Sequence, residues 1–322
     1  MIVALAGGVG GAKLAHGLYH TVARAPERLA VVVNTGDDFE LYGLRIAPDA
    51  DTVLYTLAGI ANAETGWGIA GDSFAALEML RRYGDAAWFR VGDRDLATHL
   101  RRTELLRAGR RPTEVLAALA AALGVRAHLL PMADEPVATV VTTLDGELAF
   151  QDYFVRRGHR DPVSSVRFAG IERARPTAEA RAALAAAEAV IFCPSNPIVS
   201  IGPILAVPGM RALVRAAPGP RVAVSPIVAG RALKGPADAM LAALGHESSA
   251  YAVAALYRDL LDGMVIDRED AAQAARIEAL GMRVLVTDTI MRSEEERSRL
   301  AADVLHFAEE MRPTRKRTEP PA

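Results

Sequence analysis

The sequence predicts an α/β protein with a mainly parallel sheet, helices on both faces of that sheet and an inserted, mostly helical lobe. Short apolar runs alternate with longer helical patterns at the start of the chain, and this alternation returns in its second half. Strands that alternate with helices form parallel sheets through βαβ crossovers. Between the two halves, residues from about 66 to 125 carry mostly helical patterns. These observations together indicate a Rossmann-like architecture.

The first βαβ unit is predicted from an apolar strand over Ile2–Ala6, a helix over residues 14–23 and a second strand over Leu29–Val33. The inserted lobe then contains helices at residues 74–82, 96–108 and 113–123. Two alternating segments, 137–143 and 146–150, meet at an Asp-Gly turn and predict an antiparallel strand pair.

The second half of the chain repeats the βα pattern. It predicts strands at residues 189–192, 221–224 and 283–286, with helices at 178–187, 204–216, within 236–262, and from 294 to about 310. We therefore expect residues 1–312 to form a single α/β domain with the lobe at about 66–125 inserted. Residues 313–322, which are rich in Pro, Arg and Lys, are predicted to be a disordered tail.

Bulk composition excludes several classes of function. The formal net charge is −2, so no overall positive field would collect nucleic acid or an anionic membrane. No charged and apolar leader opens the chain, and we expect a cytoplasmic protein. A single cysteine, Cys193, excludes an internal disulfide framework and a cysteine zinc cluster, and the seven histidines show no convincing metal-binding pair.

A glycine-rich segment follows the first strand and opens the first helix. It contains Gly7, Gly8, Gly10 and Gly11, followed by Lys13. Backbone N–H groups and the helix dipole at such a position favour phosphate, although a tight strand-to-helix turn alone also uses glycines. The segment matches neither the P-loop nor the dinucleotide-binding pattern.

Acidic residues follow the second strand. Asp37 and Asp38 come after Asn34 at its carboxyl end, where ligands of open α/β sheets collect; a plain turn explains them equally well. Asp49 and Asp51 stand two residues apart, which in an extended segment places both carboxylates on one face, as a Mg²⁺ site requires. Asp51 could instead merely cap a helix over residues 52–57.

Further polar residues follow other strands. Ser195 and Asn196 lie in a proline-flanked loop after the strand at 189–192, and Lys234 lies in a glycine-containing loop after the strand at 221–224. Because parallel strands end at one edge of the sheet, these loops are expected to converge with the glycine segment. Arg90, judged without other information, is typical of a solvated surface arginine.

Five motifs in fixed order make the chain resemble the 2-phospho-L-lactate transferase family, which builds the deazaflavin coenzyme F-420. They are Gly7-Gly8-Val9-Gly10-Gly11, Asn34-Thr35-Gly36-Asp37-Asp38, Pro48-Asp49-Ala50-Asp51-Thr52, Gly92-Asp93-Arg94-Asp95-Leu96-Ala97-Thr98-His99 and Pro194-Ser195-Asn196-Pro197.

The resemblance implies a nucleotide-binding transferase that joins the phospho-acid of a guanylylated donor to the ribityl hydroxyl of the deazaflavin Fo, with Mg²⁺ present and GMP leaving. Asp51 and Arg90 match positions that contact Fo in the family. The glycine loop, Lys13, Ser195, Asn196 and Lys234 would then hold the guanosine diphosphate side. Asp51, as catalytic residue, and Asp37 are the implied metal ligands.

The resemblance also implies a homodimer that works with a guanylyltransferase and a glutamyl ligase. It leaves open whether the acid is 2-phospho-L-lactate, phosphoenolpyruvate or 3-phosphoglycerate. Two other functions fit parts of the sequence: a non-enzymatic binder of nucleotides or nucleotide sugars, and an NAD-dependent oxidoreductase. Asp51 and Arg90 count against the first, and Asn34 in place of an acidic ribose ligand counts against the second.

Overall fold

Parallel strands form the central sheet of the computed structural model, which describes residues 1–312; the tail predicted for residues 313–322 lies outside them. The strands are β1 (Ile2–Ala6), β2 (Leu29–Val33), β3 (Phe39–Leu41), β4 (Leu44–Ile46), β5 (His128–Pro131), β6 (Ala138–Thr143), β7 (Gly146–Ala149), β8 (Val163–Ala169), β9 (Ala189–Phe192), β10 (Arg221–Val224), β11 (Ile227–Val228), β12 (Arg231–Ala232), β13 (Gly263–Asp267) and β14 (Arg283–Thr287).

Helices connect these strands. They are α1 (Gly8–Thr21), α2 (Pro48–Leu57), α3 (Ala75–Arg82), α4 (Asp93–Arg107), α5 (Pro112–Ala122), α6 (Ala178–Ala185), α7 (Ile201–Ala206), α8 (Met210–Ala216), α9 (Ala237–Ala243), α10 (Ala250–Leu256), α11 (Ala274–Glu278) and α12 (Glu294–Glu310). Within residues 1–312, no helix is long and apolar enough to cross a membrane.

The main sheet has seven strands in the order β14-β13-β10-β9-β1-β2-β5, and every neighbouring pair is parallel. Its central strand β1 separates two apolar cores. Ala4 and Ala6 face a core that includes α1, α2, α5 and α12, whereas Val3 and Leu5 face a second core with α6, α8 and α10. The predicted α/β fold with helices on both faces is confirmed.

Seven strands escaped the sequence prediction: β3, β4, β5, β8, β11, β12 and β13, of which three belong to the larger sheets. β13 is five residues long and fully buried, so it shows no alternating pattern, and its strand character comes from pairing with β10 and β14. β5 extends the sheet beside β2. β8 joins the predicted β6–β7 pair and makes a three-stranded antiparallel sheet.

The helix at Asp51 begins earlier than expected. α2 starts at Pro48, so Asp49 and Asp51 both lie in its first turn and not in an extended segment. Proline is well suited to the first helical position, and carboxylates in the first turn complement the helix dipole. The prediction that the two carboxylates share one face is therefore wrong, because residues two apart in a helix point in different directions.

Candidate active site at the carboxyl edge of the sheet

The glycine loop is tied to two other segments by short hydrogen bonds. The Gly7 N–H donates to Ser195 Oγ at 3.1 Å, and the Ser195 hydroxyl donates to the Gly7 carbonyl at 2.8 Å. The Gly8 N–H donates to Asp49 Oδ1 at 2.7 Å. The loops after β1 and β9 and the start of α2 thus meet at one point, as the sequence predicted for the first two.

Close packing explains why glycine is needed at positions 10 and 11 of this loop. A Cβ at Gly10 would overlap the Pro194 carbonyl oxygen, and a Cβ at Gly11 would overlap Ser195 Oγ. Gly8 has a φ of +62°, in the left-handed region. The glycines therefore bring the 194–195 segment against the start of α1, a structural role that accompanies any role in anion binding.

Gly10→Ala is expected to weaken binding of the guanylylated donor that the family resemblance implies at least tenfold, because its methyl group would push the loop after β9 away from α1. Overpacking of this kind also costs about 1–3 kcal/mol of stability. Gly17→Ala is a matched control, because a Cβ there would overlap the Arg297 carbonyl oxygen, on α12. Calorimetric titration and thermal unfolding of both variants should show similar destabilisation but weaker binding only for Gly10→Ala. Equal losses of affinity would contradict a binding role for the loop.

A buried amide, Asn34, and a half-buried one, Asn196, organise the same edge. Asn34 Nδ2 donates to Asp49 Oδ2 at 2.9 Å and to the Val199 carbonyl at 3.1 Å, and its Oδ1 accepts from the Gly36 N–H at 2.8 Å. Asn196 Oδ1 accepts from the Ile198 N–H at 2.9 Å. Asn34 therefore joins the loop after β2 to α2 and to the 196–200 segment.

Two acidic side chains, Asp37 and Asp49, lie beside Asn34, and a third, Asp38, follows Asp37 and lies within reach of the charges of Arg102 and Arg45. Burial, reinforced by repulsion from Asp49, raises the pKa of Asp37 well above its ordinary value. Burial raises the pKa of Asp49 to about 6 and that of Asp38 to about 8. Asp38 Oδ1 is sealed from solvent and has no hydrogen-bond partner within residues 1–312. The protein around the cluster therefore stabilises the charged forms of these carboxyls less than water does.

Asp38→Asn is expected to gain stability relative to the wild type as pH rises. Asp38 binds its proton more tightly when folded than when unfolded, so its contribution to stability is lost as pH rises from about 4 to about 8. Urea unfolding in EDTA at a series of pH values gives the difference in the free energy of unfolding between Asp38→Asn and the wild type. Asp145→Asn, at an exposed turn, is the control and should show no such trend. A constant difference between Asp38→Asn and the wild type would contradict the assignment.

Asp51 belongs to a separate buried network. Arg102, from α4, donates to both of its carboxylate oxygens, at 2.9 Å to Oδ2. His99 lies between two carboxylates, with Nδ1 3.6 Å from Asp51 Oδ2 and Nε2 3.3 Å from Asp95 Oδ1. Tyr55 donates its hydroxyl to Asp95 Oδ1 at 2.7 Å. Burial alone would lower the Arg102 pKa, but the Asp51 carboxylate outweighs it and the pKa lies above its usual value.

Asp51, Asp95 and His99 could hold a metal ion, since one possible ligand atom of each lies within 4.8 Å of the others. Asp37 is not part of this group. The sequence analysis considered only pairs of histidines, whereas this group contains one histidine and two aspartates from α2 and α4, which are distant in sequence. Two histidines one turn apart on α1, His16 and His20, bring their Nε2 atoms to 3.1 Å.

Both predicted phosphate-binding lysines are held by carbonyl groups. Lys13 Nζ donates to the Met291 carbonyl at 2.8 Å, and Lys234 Nζ donates to the Thr65 carbonyl at 2.5 Å. Burial, with repulsion from Arg297 and Lys234, lowers the pKa of Lys13. Neither lysine forms an ion pair within the part of the chain that the structure describes. Their charges are therefore available to an anion.

Arg90 is exposed but held by aromatic rings. Its guanidinium carbon lies 4.6 Å from the centre of the Phe74 ring and 5.8 Å from that of Trp67. Stacking of this kind orients a guanidinium while leaving its N–H groups free. Sequence reasoning had no signal for this arrangement, since the two rings lie 16 and 23 residues before Arg90.

The sequence analysis missed Arg102, His99 and Tyr55 as functional candidates. Asp95 and His99 are one turn apart on α4, a spacing that the sequence displays. Arg102 continues the same face one turn later, but its partner Asp51 lies on another helix, so no local pattern reveals the pair.

The family model and the similar proteins match nearly the whole length of this chain. The family model described as 2-phospho-L-lactate transferase CofD matches residues 2–305. A phosphoenolpyruvate transferase of Kitasatospora aureofaciens is 42% identical over 317 residues, covering 97% of this chain and 98% of that protein. A 2-phospho-L-lactate transferase of Methanopyrus kandleri is 40% identical over 314 residues, covering 96% and 98%.

Among solved structures, a UPF0052 family protein of Bacillus halodurans is similar in fold, with a TM-score of 0.63 at 14% identity, covering 94% of this chain and 98% of that chain. At this identity the similarity shows the fold alone. The family model and the relatives show more than the fold, because they match the sequence itself from β1 into α12. The chain therefore belongs to the 2-phospho-L-lactate transferase CofD family.

Proposed function

We propose that this protein transfers the phospho-acid moiety of a guanylylated donor to the ribityl hydroxyl of the deazaflavin Fo and releases GMP, in the biosynthesis of coenzyme F-420. The observation that carries this proposal is the full-length family match, which includes the segments that meet at the carboxyl edge of the sheet. Relatives of this chain are named for transfer of phosphoenolpyruvate and of 2-phospho-L-lactate.

The glycine loop is the proposed site of the donor diphosphate. Gly7, Gly8, Gly10 and Gly11 lie where backbone N–H groups at the start of α1 attract anions. Lys13 and Lys234, free of ion pairs within residues 1–312, add positive charge. Ser195 and Asn196 are proposed to border the nucleotide on the other side of the loop; contacts between Ser195 and Gly7 support that placement.

We propose that a Mg²⁺ ion binds at the acidic cluster, although within residues 1–312 only Asp51, Asp95 and His99 bring three possible ligand atoms within 4.8 Å of one another. Asp37, Asp38 and Asp49 are carboxylates whose raised pKa values reflect burial without enough positive charge, and hard divalent cations prefer such oxygen ligands. We propose Asp37 as a ligand, with Asp49 beside it. Asp51 would have to give up a bond to Arg102 to join them. When bound, Mg²⁺ supplies positive charge to the diphosphate oxygens.

The reaction needs no covalent enzyme intermediate. The Fo hydroxyl attacks the phosphorus that carries the organic acid, the bridging P–O bond breaks, GMP leaves, and the hydroxyl proton passes to a base. Positioning and charge stabilisation then supply most of the catalysis, as in other phosphoryl transfers. We propose Asp51 as the group that orients the hydroxyl or accepts its proton, and Arg90 as a contact of the acceptor.

Product formation tests the proposed function. The protein is incubated with Fo, GTP, Mg²⁺, a guanylyltransferase and each of the three phospho-acids in turn, and products are identified by mass. We expect a deazaflavin product with at least one acid, and its mass identifies that acid. The absence of a deazaflavin product with all three acids would contradict the proposal.

We also propose, from the family resemblance, that the protein acts in the cytoplasm as a homodimer and that its product passes to a glutamyl ligase. Sedimentation equilibrium of the purified chain tests whether it is a homodimer. A monomer at micromolar concentration would contradict the homodimer.

A further inference from the structure

Two imidazole rings meet on helix α1, outside the site described above. His16 and His20 are one turn apart, so both side chains leave the same face of the helix. Their Nε2 atoms are 3.1 Å apart, and the centres of their rings are 4.3 Å apart. At a rise of about 1.5 Å per residue, the pair lies roughly 12–18 Å along the helix from Gly8. It is therefore separate from the glycine loop at the start of that helix.

The separation of the two Nε2 atoms suits a single metal ion. Zn²⁺ binds imidazole nitrogen at about 2.0–2.1 Å, so two nitrogens 3.1 Å apart subtend roughly 100° at the ion. That angle lies between the right angle of octahedral coordination and the wider angle of tetrahedral coordination. Two histidines at this spacing on one helix face bind zinc in other proteins. Without a metal, the same distance is that of a hydrogen bond from one imidazole to the other.

His16 is held in the protonation state that a metal requires. The residue is 3% exposed, and its pKa is lowered to about 4, first by burial and then by repulsion from His20 and Arg297. Metals bind the neutral imidazole, so no proton has to leave His16 near neutral pH. Its Nδ1 is sealed from solvent and has no partner within residues 1–312. In that part of the chain, the only polar contact of the His16 ring is therefore the one from Nε2 to His20.

The other ring opens this position to solvent. His20 is exposed in the last turn of α1, so an ion reaches the Nε2 atoms from its side and water completes the coordination. Arg297, on α12, repels a cation at His16, whereas Glu294, in the first turn of α12, attracts one. The Lys13 ammonium, one turn earlier on α1, bonds a main-chain carbonyl and adds positive charge. Binding of a cation therefore depends on bonds to nitrogen and not on an excess of negative charge.

We propose that His16 and His20 form a site for a divalent transition metal such as Zn²⁺, Ni²⁺ or Cu²⁺, bound through both Nε2 atoms. Imidazole is a ligand for these metals, whereas Mg²⁺ prefers oxygen. The spacing of the histidines in the sequence did not by itself favour a metal site; the distance between the two nitrogens does. An ion that joins two successive turns of α1 stabilises the folded chain by mass action. This site does not rest on the proposed function, because neither histidine is assigned to the substrates or to Mg²⁺.

Titration of the EDTA-treated and dialysed protein with Zn²⁺ tests the site with the metal alone. His20→Gln removes one ligand but keeps an amide that can bond His16, and His16→Leu removes the other ligand and keeps the core filled. Each change should weaken one Zn²⁺ site at least about tenfold, because loss of a group that only supports a ligand already costs roughly 10–100-fold. His246→Gln, at an exposed histidine after α9, is the matched control and should bind Zn²⁺ like the wild type. Mg²⁺ binding should be the same in all of these proteins.

The position of the bound zinc separates this site from other zinc binding. Asp51, Asp95 and His99 could also take Zn²⁺, so anomalous diffraction from zinc-soaked crystals locates the ion. We expect a peak bonded to both Nε2 atoms in the wild type and none there in His20→Gln. If His16→Leu does not fold, this peak decides, because His20 is exposed and tolerates substitution.

Three results would overturn the inference. One is Zn²⁺ binding that is unchanged in His20→Gln, and another is a zinc peak only at the group of two aspartates and one histidine. The third is loss of a Zn²⁺ site in His20→Gln but not in His16→Leu, because a single exposed histidine would then explain the binding. None of these results bears on the proposed function, which product formation tests separately.

Discussion

Asp51→Asn is expected to lower kcat about a hundredfold or more, because a positioned carboxylate acting on the attacking hydroxyl contributes on the order of 10² to 10⁴ to the rate. Asparagine has nearly the same shape but carries no charge and accepts a proton poorly. Initial rates at saturating Fo, donor and Mg²⁺ measure the effect. We expect KM for the donor to change little, because the proposed donor groups lie on the glycine loop.

The control for this variant is Asp95→Asn. Asp95 shares the buried network with Asp51 through His99 but bonds the Tyr55 hydroxyl and not Arg102. A loss caused by damage to the network, or by loss of a metal ion from Asp51, Asp95 and His99, would affect both variants similarly. Near-full turnover of Asp51→Asn at saturating Mg²⁺ and Fo would exclude Asp51 as base or orienting group.

Arg102→Ala is expected to destabilise the protein by about 3–5 kcal/mol, the usual cost of removing one partner from a buried ion pair. The exposed fraction of the Arg102 side chain is 6% and that of Asp51 is 7%. Truncation would leave the Asp51 charge buried without its donor. Urea unfolding gives the free energy, and the same variant should also lose turnover, because Asp51 would no longer be held in one orientation.

Arg101→Ala is the matched control, one residue earlier on α4. Arg101 pairs with Glu104 on the surface, where the exposed fractions of the two side chains are 56% and 67%. Exposed pairs contribute roughly 0–1 kcal/mol, so this change should leave stability and turnover nearly unaltered. Similar destabilisation by the two alanine substitutions would show that the buried Asp51–Arg102 pair contributes no more to the free energy of unfolding than the exposed Arg101–Glu104 pair.

The local sequence was enough to predict the glycine loop and the strands β1, β2, β9 and β10. Each is a short apolar run or a glycine pattern whose meaning depends on near neighbours along the chain. It was not enough for α2, where Pro48 moved the start of the helix and turned Asp49 toward Gly8 and Asn34. Nor was it enough for β13, whose strand pairing depends on β10 and β14.

The sequence by itself determined the α/β class, the family and the set of loops that meet at the carboxyl edge of the sheet, because periodicity and motif order are properties of the chain. Only the tertiary structure decided which acids act together. It placed Asp37 and Asp49 beside Asn34, left Asp38 within reach of the charges of Asp51 and Arg102, and gave Asp51 a buried partner in Arg102, 51 residues away. The physical reason is that burial and ion pairing depend on distances between helices, which no spacing along one segment encodes.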